Sequence, residues 1–289
     1  LNDSGEAFSF IWVAASRRGT IVKIDTETGA ILGEYLSAPN GRAGNPSRTT
    51  VDANGNVWAG NRDEVADGLG SVVHIGLVEN GQCEDRNGNG TIETSTGLSD
   101  ILPWNNGGGA DNNGGVSTAE DECIIHYVRT SGTAVRTVAV DGSNNVWIGG
   151  YGNRVHELYD QDGVAVPGSQ FNLGCGGYGG LVDGNGVLWS ANISQGRLLR
   201  YDPATSTGNC IRVVASYGLG IDTNGFIWNS MWTNNTIAKI SPAGVIEPGF
   251  PVPTGGANND RGVAVTPFDN NVWVANSGGS DVSRLDNNG

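Results

Sequence analysis

"VDANGNVWAGN" (residues 51–61) decides the fold because it recurs. The chain repeats it as "VDGSNNVWIGG" (140–150), "VDGNGVLWSAN" (182–192), "IDTNGFIWNSM" (221–231) and "VTPFDNNVWVAN" (265–276), and "FIWVAAS" (10–16) opens a sixth copy. Each unit reads as a β run, a turn of Asp, Asn and Gly, and a second β run carrying a tryptophan. A polar loop and a third run follow, as in "TIVKID" (20–25), "RLLRYD" (197–202), "TIAKIS" (236–241) and "DVSRLD" (281–286). Asn-Gly between alternating apolar runs predicts a tight hairpin with positive φ at both central residues, which glycine reaches without steric cost.

The recurring tryptophans are Trp12, Trp58, Trp147, Trp189, Trp228 and Trp273, and the interval from Trp58 to Trp147 is about twice the others. An insertion explains it, since residues 80–122 are rich in Gly, Asn and Asp with little β character. Units of about 40 residues without helices predict an all-β β-propeller of four-stranded blades, with the insertion in the second blade and residues 1–289 as one domain. A parallel β-helix repeats on a much shorter period. Six blades are expected; the first lacks its inner strand and the last its outer one, and a seventh would need sequence beyond residue 289. The six tryptophans are expected to pack between blades.

Composition narrows the function. A net charge of -14 with only 16 Lys and Arg argues against binding nucleic acid through phosphates. No stretch is apolar enough to span a bilayer, and Leu1-Asn2-Asp3-Ser4 does not open a signal peptide. The four cysteines read as two disulfides, Cys83 with Cys123 and Cys175 with Cys210, which implies a secreted, periplasmic or cell-surface setting. Asn192-Ile193-Ser194 and Asn234-Asn235-Thr236 fit the glycosylation pattern, though such triplets are common by chance in Asn-rich sequence.

"VDxNGxVWxxN" followed by "G-x-[VIL]-x-[KR]-[IL]-D" resembles the streptogramin (virginiamycin B) lyase-like propellers and their NHL-like and gluconolactonase-like relatives. The resemblance spans nearly the whole chain outside residues 80–130. It implies the fold, and it directs attention to the mouth of the central channel, where the lyases hold a magnesium ion and catalytic His and Glu. The loops after the Trp strands here contain no histidine. His74 replaces the Lys or Arg of a third strand, His126 closes the insertion, and His156 lies in another third strand. No catalytic residue carries over. The inner strands bring Arg48, Arg136, Tyr178, Tyr217 and Arg261 to the expected mouth, and the loops after the Trp strands, with the end of the last one, add Arg62, Tyr151, Trp232 and Asn276. Such a set suits a carboxylate, a glycan or a partner protein's side chain, or else plugs the channel.

"DRNGNGTIETS" (85–95) matches the first part of a calcium loop: Asp85, Asn87 and Asn89 at the first three ligand positions, Gly90 at the turn, the Thr91 carbonyl, then Glu93. Thr96 stands where a bidentate glutamate belongs. The missing carboxylate is expected from Asp100, Asp121 or Glu122, drawn in by the Cys83–Cys123 bridge. The expected cofactor is a structural calcium ion. The sequence therefore predicts an extracellular binding or scaffold propeller, with a lyase- or hydrolase-type enzyme using the channel mouth as the alternative.

Overall fold

A computed structural model describes residues 9–64, 67–106, 116, 120–256 and 259–289. The reading of the chain's first four residues, and part of the insertion, lie outside the described residues. The chain forms two compact units, Leu1–Gln170 and Phe171–Gly289. Each is built from three antiparallel sheets, so the described residues contain the six sheets expected of six blades.

In the first unit, β1 (Phe10–Ala15), β2 (Thr20–Asp25) and β3 (Ile31–Leu36) form one sheet. The second comprises β4 (Pro46–Val51), β5 (Val57–Asn61), β6 (Leu69–Ile75) and β7 (Ile124–Thr133), and the third β8 (Val135–Val140), β9 (Val146–Gly150) and β10 (His156–Tyr159). The insertion leaves β6 and returns as β7, so it does belong to the second sheet.

The second unit opens with the sheet of β11 (Gly180–Val182), β12 (Leu188–Ser190), β13 (Arg197–Asp202) and β14 (Thr207–Arg212). Next come β15 (Ser216–Ile221), β16 (Ile227–Met231), β17 (Thr236–Ile240) and β18 (Val252–Pro253), then β19 (Asp260–Val265), β20 (Val272–Asn276) and β21 (Asp281–Leu285). Three of the six sheets have three strands: the first and the last, as expected, and the third, where four were expected. In the third sheet the place of an outer strand is taken by a Gly- and Pro-containing segment that reaches β10 through the Tyr159–Ala165 bridge, the Val166 N–H to Leu158 carbonyl bond and the Ser169 hydroxyl, which accepts the Leu158 N–H.

The repeated aspartate closes the turn with its side chain. Asp52 Oδ1 accepts from the backbone N–H of Asn54 (2.8 Å) and Asn56 (3.0 Å), and Asp141, Asp183 and Asp222 repeat the pattern. Because the carboxylate supplies this closure, only one residue per turn needs positive φ, as at Gly55 (86°), and not the two expected of a two-residue hairpin.

Four of the tryptophans pack on the sheet that follows them. Trp12 lies against Val57 and Ile75, Trp58 against Val135 and Val138, Trp189 against Ile227, and Trp228 against Val272 and Val274. Trp273 differs: no sheet follows it in chain order, and it is 38% exposed. A cation on the third strand covers another face of the ring. Lys23 on Trp12 (5.7 Å), Arg200 on Trp189 (5.7 Å), Lys239 on Trp228 (5.3 Å) and Arg284 on Trp273 (5.5 Å) are all direct cross-strand partners of their tryptophans.

Candidate functional site

The expected mouth residues fall into a cluster within each unit. In the second unit Tyr178 meets Tyr217 (4.9 Å between ring centroids), Tyr217 meets Trp232 (5.0 Å), and Arg261 lies 4.7 Å over Trp232 and 5.9 Å from Tyr217. The backbone explains the approach. A Cβ at Gly218 would stand 1.9 Å from the Arg261 carbonyl, so only glycine lets β15 come close enough to β19 to set Tyr217 beside Arg261. Tyr217, Trp232 and Arg261 are half-buried, while Tyr178 is 6% exposed. Asn276 is not part of this contact; it is buried and donates to Ser283 Oγ at 2.7 Å.

In the first unit Arg136 lies 5.9 Å from the Tyr151 ring, whose other neighbour, Arg154, is at 5.7 Å. Arg62 donates to Asn45 Oδ1 at 2.5 Å, and Arg48 lies on β4, the inner strand of its sheet. Arg154 escaped the sequence reading because it lies beyond the loop positions used to align the copies.

The acidic loop is folded on itself. Asp85 accepts the backbone N–H of Gly88 (2.8 Å), Asn89 (3.2 Å) and Gly90 (2.8 Å), which wraps the chain around its carboxylate. The side-chain amides of Asn87 (2.9 Å) and Asn89 (2.8 Å) both reach Glu93, so these three side chains converge. Those amides hold the Glu93 carboxyl below its ordinary value, while the nearby Asp85 charge opposes this. Thr91 follows the turn, its N–H donating to Asn89 Oδ1 at 2.8 Å.

Of the three acids expected to complete the loop, Glu122 faces it. Its carboxylate accepts the backbone N–H of Arg86 (2.9 Å), Asn87 (3.3 Å) and Glu93 (2.9 Å), and it is fully buried. Asp121 turns instead to Thr94 (2.8 Å) and Ser95 (2.7 Å), with its pKa raised by burial, and Asp100 accepts from Thr96 at 2.5 Å. Among the described residues no group of three or more His, Cys, Asp or Glu is arranged to hold a metal. A cation here would therefore depend on Asn and carbonyl oxygens beside Asp85 and Glu93.

Two disulfides join Cys83 to Cys123 and Cys175 to Cys210, as expected. The first ties both ends of the insertion; the second joins the segment entering the fourth sheet to its outer strand. Trp104 anchors the insertion further: fully buried, it donates to the Leu36 carbonyl (3.0 Å) and packs edge-on to Tyr127 (5.3 Å). It stands outside the repeat, so periodicity gave no signal for it. Asn192 is buried and donates to the Gly176 carbonyl, which excludes it as a glycan acceptor in the folded chain; Asn234 is exposed. No helix among the described residues is long and apolar enough to cross a membrane.

No protein-family model matches the chain, and no curated protein sequence matches it. Solved structures do resemble it. A catalytically inactive His-to-Ala variant of virginiamycin B lyase from Staphylococcus aureus, solved with quinupristin, superimposes with a TM-score of 0.64 at 16% identity, over 99% of this chain and 79% of that one. A streptogramin B lyase structure gives 0.66 at 14% identity, over 100% and 82%, and the WD40 repeats of RRP9 give 0.60 at 12%, over 96% and 76%. At these identities the likeness concerns architecture, and with six antiparallel sheets it establishes a streptogramin lyase-like β-propeller fold.

Proposed function

We propose that the chain is a β-propeller binding module of an oxidising, extracellular or periplasmic compartment, with its insertion ordered by a structural calcium ion. The observation that carries the binding role is the Tyr178–Tyr217–Trp232 row with Arg261 stacked against it. A row of aromatic faces ending in a guanidinium suits a glycan bearing a carboxylate, or an acidic side chain of a protein partner, because rings cover C–H faces while arginine takes the carboxylate. The two disulfides support the compartment. The calcium role is supported by the convergence of Asn87, Asn89 and Glu93 beside Asp85, whose like charges a cation would offset.

The lyase or hydrolase reading has the fold likeness behind it. The chain's histidines, however, are engaged elsewhere: His74 with His126 and Asp52, and His156 buried against the Arg154 carbonyl. Fold alone does not transfer an activity.

The test is calorimetry against a panel of neutral and uronic-acid oligosaccharides and acidic peptides. Trp232→Ala and Arg261→Ala should each weaken binding roughly tenfold, about 1.4 kcal/mol, with melting temperatures close to wild type. Binding unchanged in both variants would dismiss the site. Loss of several kcal/mol of stability, as in a core truncation, would make the cluster a structural plug.

A further inference from the structure

The second sheet departs from a pattern seen in the fourth and fifth. In the fourth and fifth sheets the turn aspartate accepts the indole N–H: Asp183 from Trp189 at 2.9 Å and Asp222 from Trp228 at 3.1 Å. Asp52 holds the same place in the second sheet, but its Oδ2 accepts from His74 Nε2 (3.1 Å) and Asn56 Nδ2 (2.9 Å). Trp58 Nε1 is left buried with no hydrogen-bond partner. His74 takes the place of the third-strand cation and stacks on Trp58 at 3.8 Å, with the rings 10° from parallel. An orphaned indole N–H costs about 1–3 kcal/mol. Departures of this kind concentrate at functional positions.

The departure continues to a second ring. His74 Nδ1 lies 3.0 Å from His126 Nδ1, its cross-strand partner on β7. Proton bookkeeping then assigns every nitrogen. Asp52 is a carboxylate, its pKa held low against the cost of burial by His74 and by Asn56 and Asn54, so it only accepts. His74 Nε2 must carry a proton. Burial lowers the His74 pKa to about 4, so the ring is neutral at pH 7 and its Nδ1 holds a lone pair. His126 Nδ1 must therefore donate. Burial lowers its pKa as well, which leaves the lone pair on His126 Nε2. No hydrogen bond within the described residues reaches that nitrogen.

His126 lines a cleft of about 240 Å³ whose wall includes Asn54, Gln82, Glu84, Gln161 and Asp162. Glu84 is paired with Arg86 at 2.7 Å, whereas the Asp162 carboxylate makes no hydrogen bond within the described residues. The wall is rich in acceptors and net negative. A larger cleft of about 690 Å³ lies by Arg129 and Glu157, but its charged groups are already matched, Arg129 to Asp67 at 2.6 Å and Glu157 to the Ser131 N–H at 2.7 Å.

We propose that the His126 cleft is a second binding site, for a small ligand bearing an ammonium group, in which His126 Nε2 is a fixed hydrogen-bond acceptor and Asp162 the counter-charge. The Asp52–His74 pair acts through His126: it fixes the tautomer and does not touch the ligand. This site is independent of the Tyr217–Arg261 cluster and of the calcium loop. The charged and titratable groups around the His126 ring are Asp52, His74, Glu84, Arg86, Asp160 and Asp162. Protonation of Nε2 on acidification turns the acceptor into a donor and adds a positive charge, so ligand affinity falls with pH.

Two-bond 1H–15N spectra of the labelled chain at pH 7 read both tautomers directly. The expected result is a proton on Nδ1 of His126 and on Nε2 of His74. Propylammonium chloride should shift the His126 Nε2 resonance saturably at millimolar concentration, with 1-propanol at the same concentration leaving it in place. Binding should weaken at least roughly tenfold in His126→Gln, and should weaken progressively as the pH is lowered through the burial-depressed titration of His126. A proton on Nε2 of His126, no saturable shift, an equal response to propanol, or undiminished binding in His126→Gln would each overturn the proposal. The tautomer measurement needs only the wild-type chain, so it decides even where His126→Gln fails to fold.

Discussion

Chelation of calcium should loosen the insertion while the six sheets stay folded. The loop between Cys83 and Glu93 is held by three hydrogen bonds to Asp85 and three to Glu122, and the Asp85 and Glu93 charges oppose one another across it. Calcium sites in extracellular modules bind with Kd of about 0.1–1 mM. In about 10 mM calcium the ion-bound loop is then stabilised by RT ln(1 + [L]/Kd), about 1.4–2.7 kcal/mol. That makes opening roughly 10- to 100-fold rarer. Where reclosing outpaces cleavage, proteolysis follows the open population. Limited digestion with and without chelator, mapped by mass spectrometry, should show cleavage at residues 84–93 accelerated by that factor, with far-ultraviolet circular dichroism nearly unchanged. Asp85→Ala removes the charge and the acceptor of three backbone amides together, so it should be cleaved in saturating calcium at least as fast as the chelated wild type. A wild-type cleavage rate indifferent to calcium, or an Asp85→Ala loop that calcium still protects, would refute the reasoning.

Other expectations follow from buried groups. The Glu64 side chain is fully buried and accepts from Tyr127 (2.6 Å), Asn61 (3.1 Å), Ser71 and Arg42 (3.3 Å); Glu64→Ala removes the buried carboxylate that pairs with the Arg42 guanidinium and should cost about 3–5 kcal/mol in urea unfolding, against about 1.5–3 for Tyr127→Phe. Stability should fall as pH drops from 6.5 towards 4, because burial holds His74 and His156 at about 4 in the folded chain, whereas unfolded histidines take up protons from 6.5 downwards. The unfolded state then binds more protons, so His74→Gln or His156→Gln should flatten the acid limb of the urea midpoints. Replacing both Cys83 and Cys123 by Ala opens a closure spanning 40 residues, worth up to about 4 kcal/mol on chain entropy, and should lower the urea midpoint accordingly.

What could be read in the sequence was whatever the repeat enforces. A turn aspartate, a glycine or asparagine at positive φ and a tryptophan are local requirements of one hairpin, and five copies meet them within eleven or twelve residues; the six sheets and the burial of five of the six tryptophans follow. Contacts between distant segments were less legible. Glu122 and Asp121 are adjacent acids of the same composition, yet one faces the loop and the other faces Thr94 and Ser95. They sit in the turn that leads into β7, where adjacent side chains diverge, and sequence alone does not say which side the loop occupies. Trp104 has no counterpart in any repeat, although its anchor decides how the insertion returns to the core. His74 was visible as an odd residue in the cation position, but its meaning needed His126, 52 residues on, to be its cross-strand partner.

The two candidate sites rest on different supports, and this shapes how each can respond to a ligand. Tyr217 and Arg261 stand on the inner strands of two adjacent sheets, with Gly218 pressed against the Arg261 carbonyl, so any side chain there would push the strands apart and displace the cluster. Side chains held this way are preorganised and lose little entropy on binding. The His126 cleft has one rigid wall, where His74 and His126 are paired across β6 and β7. Its other wall includes Gln82 and Glu84, which flank Cys83 at the start of the insertion. Ordering the insertion therefore limits where Glu84 and Arg86 can lie, and through them the charge around His126. The disulfide between Cys83 and Cys123 keeps that constraint local, because it pins the segment to the end of the insertion from which β7 starts.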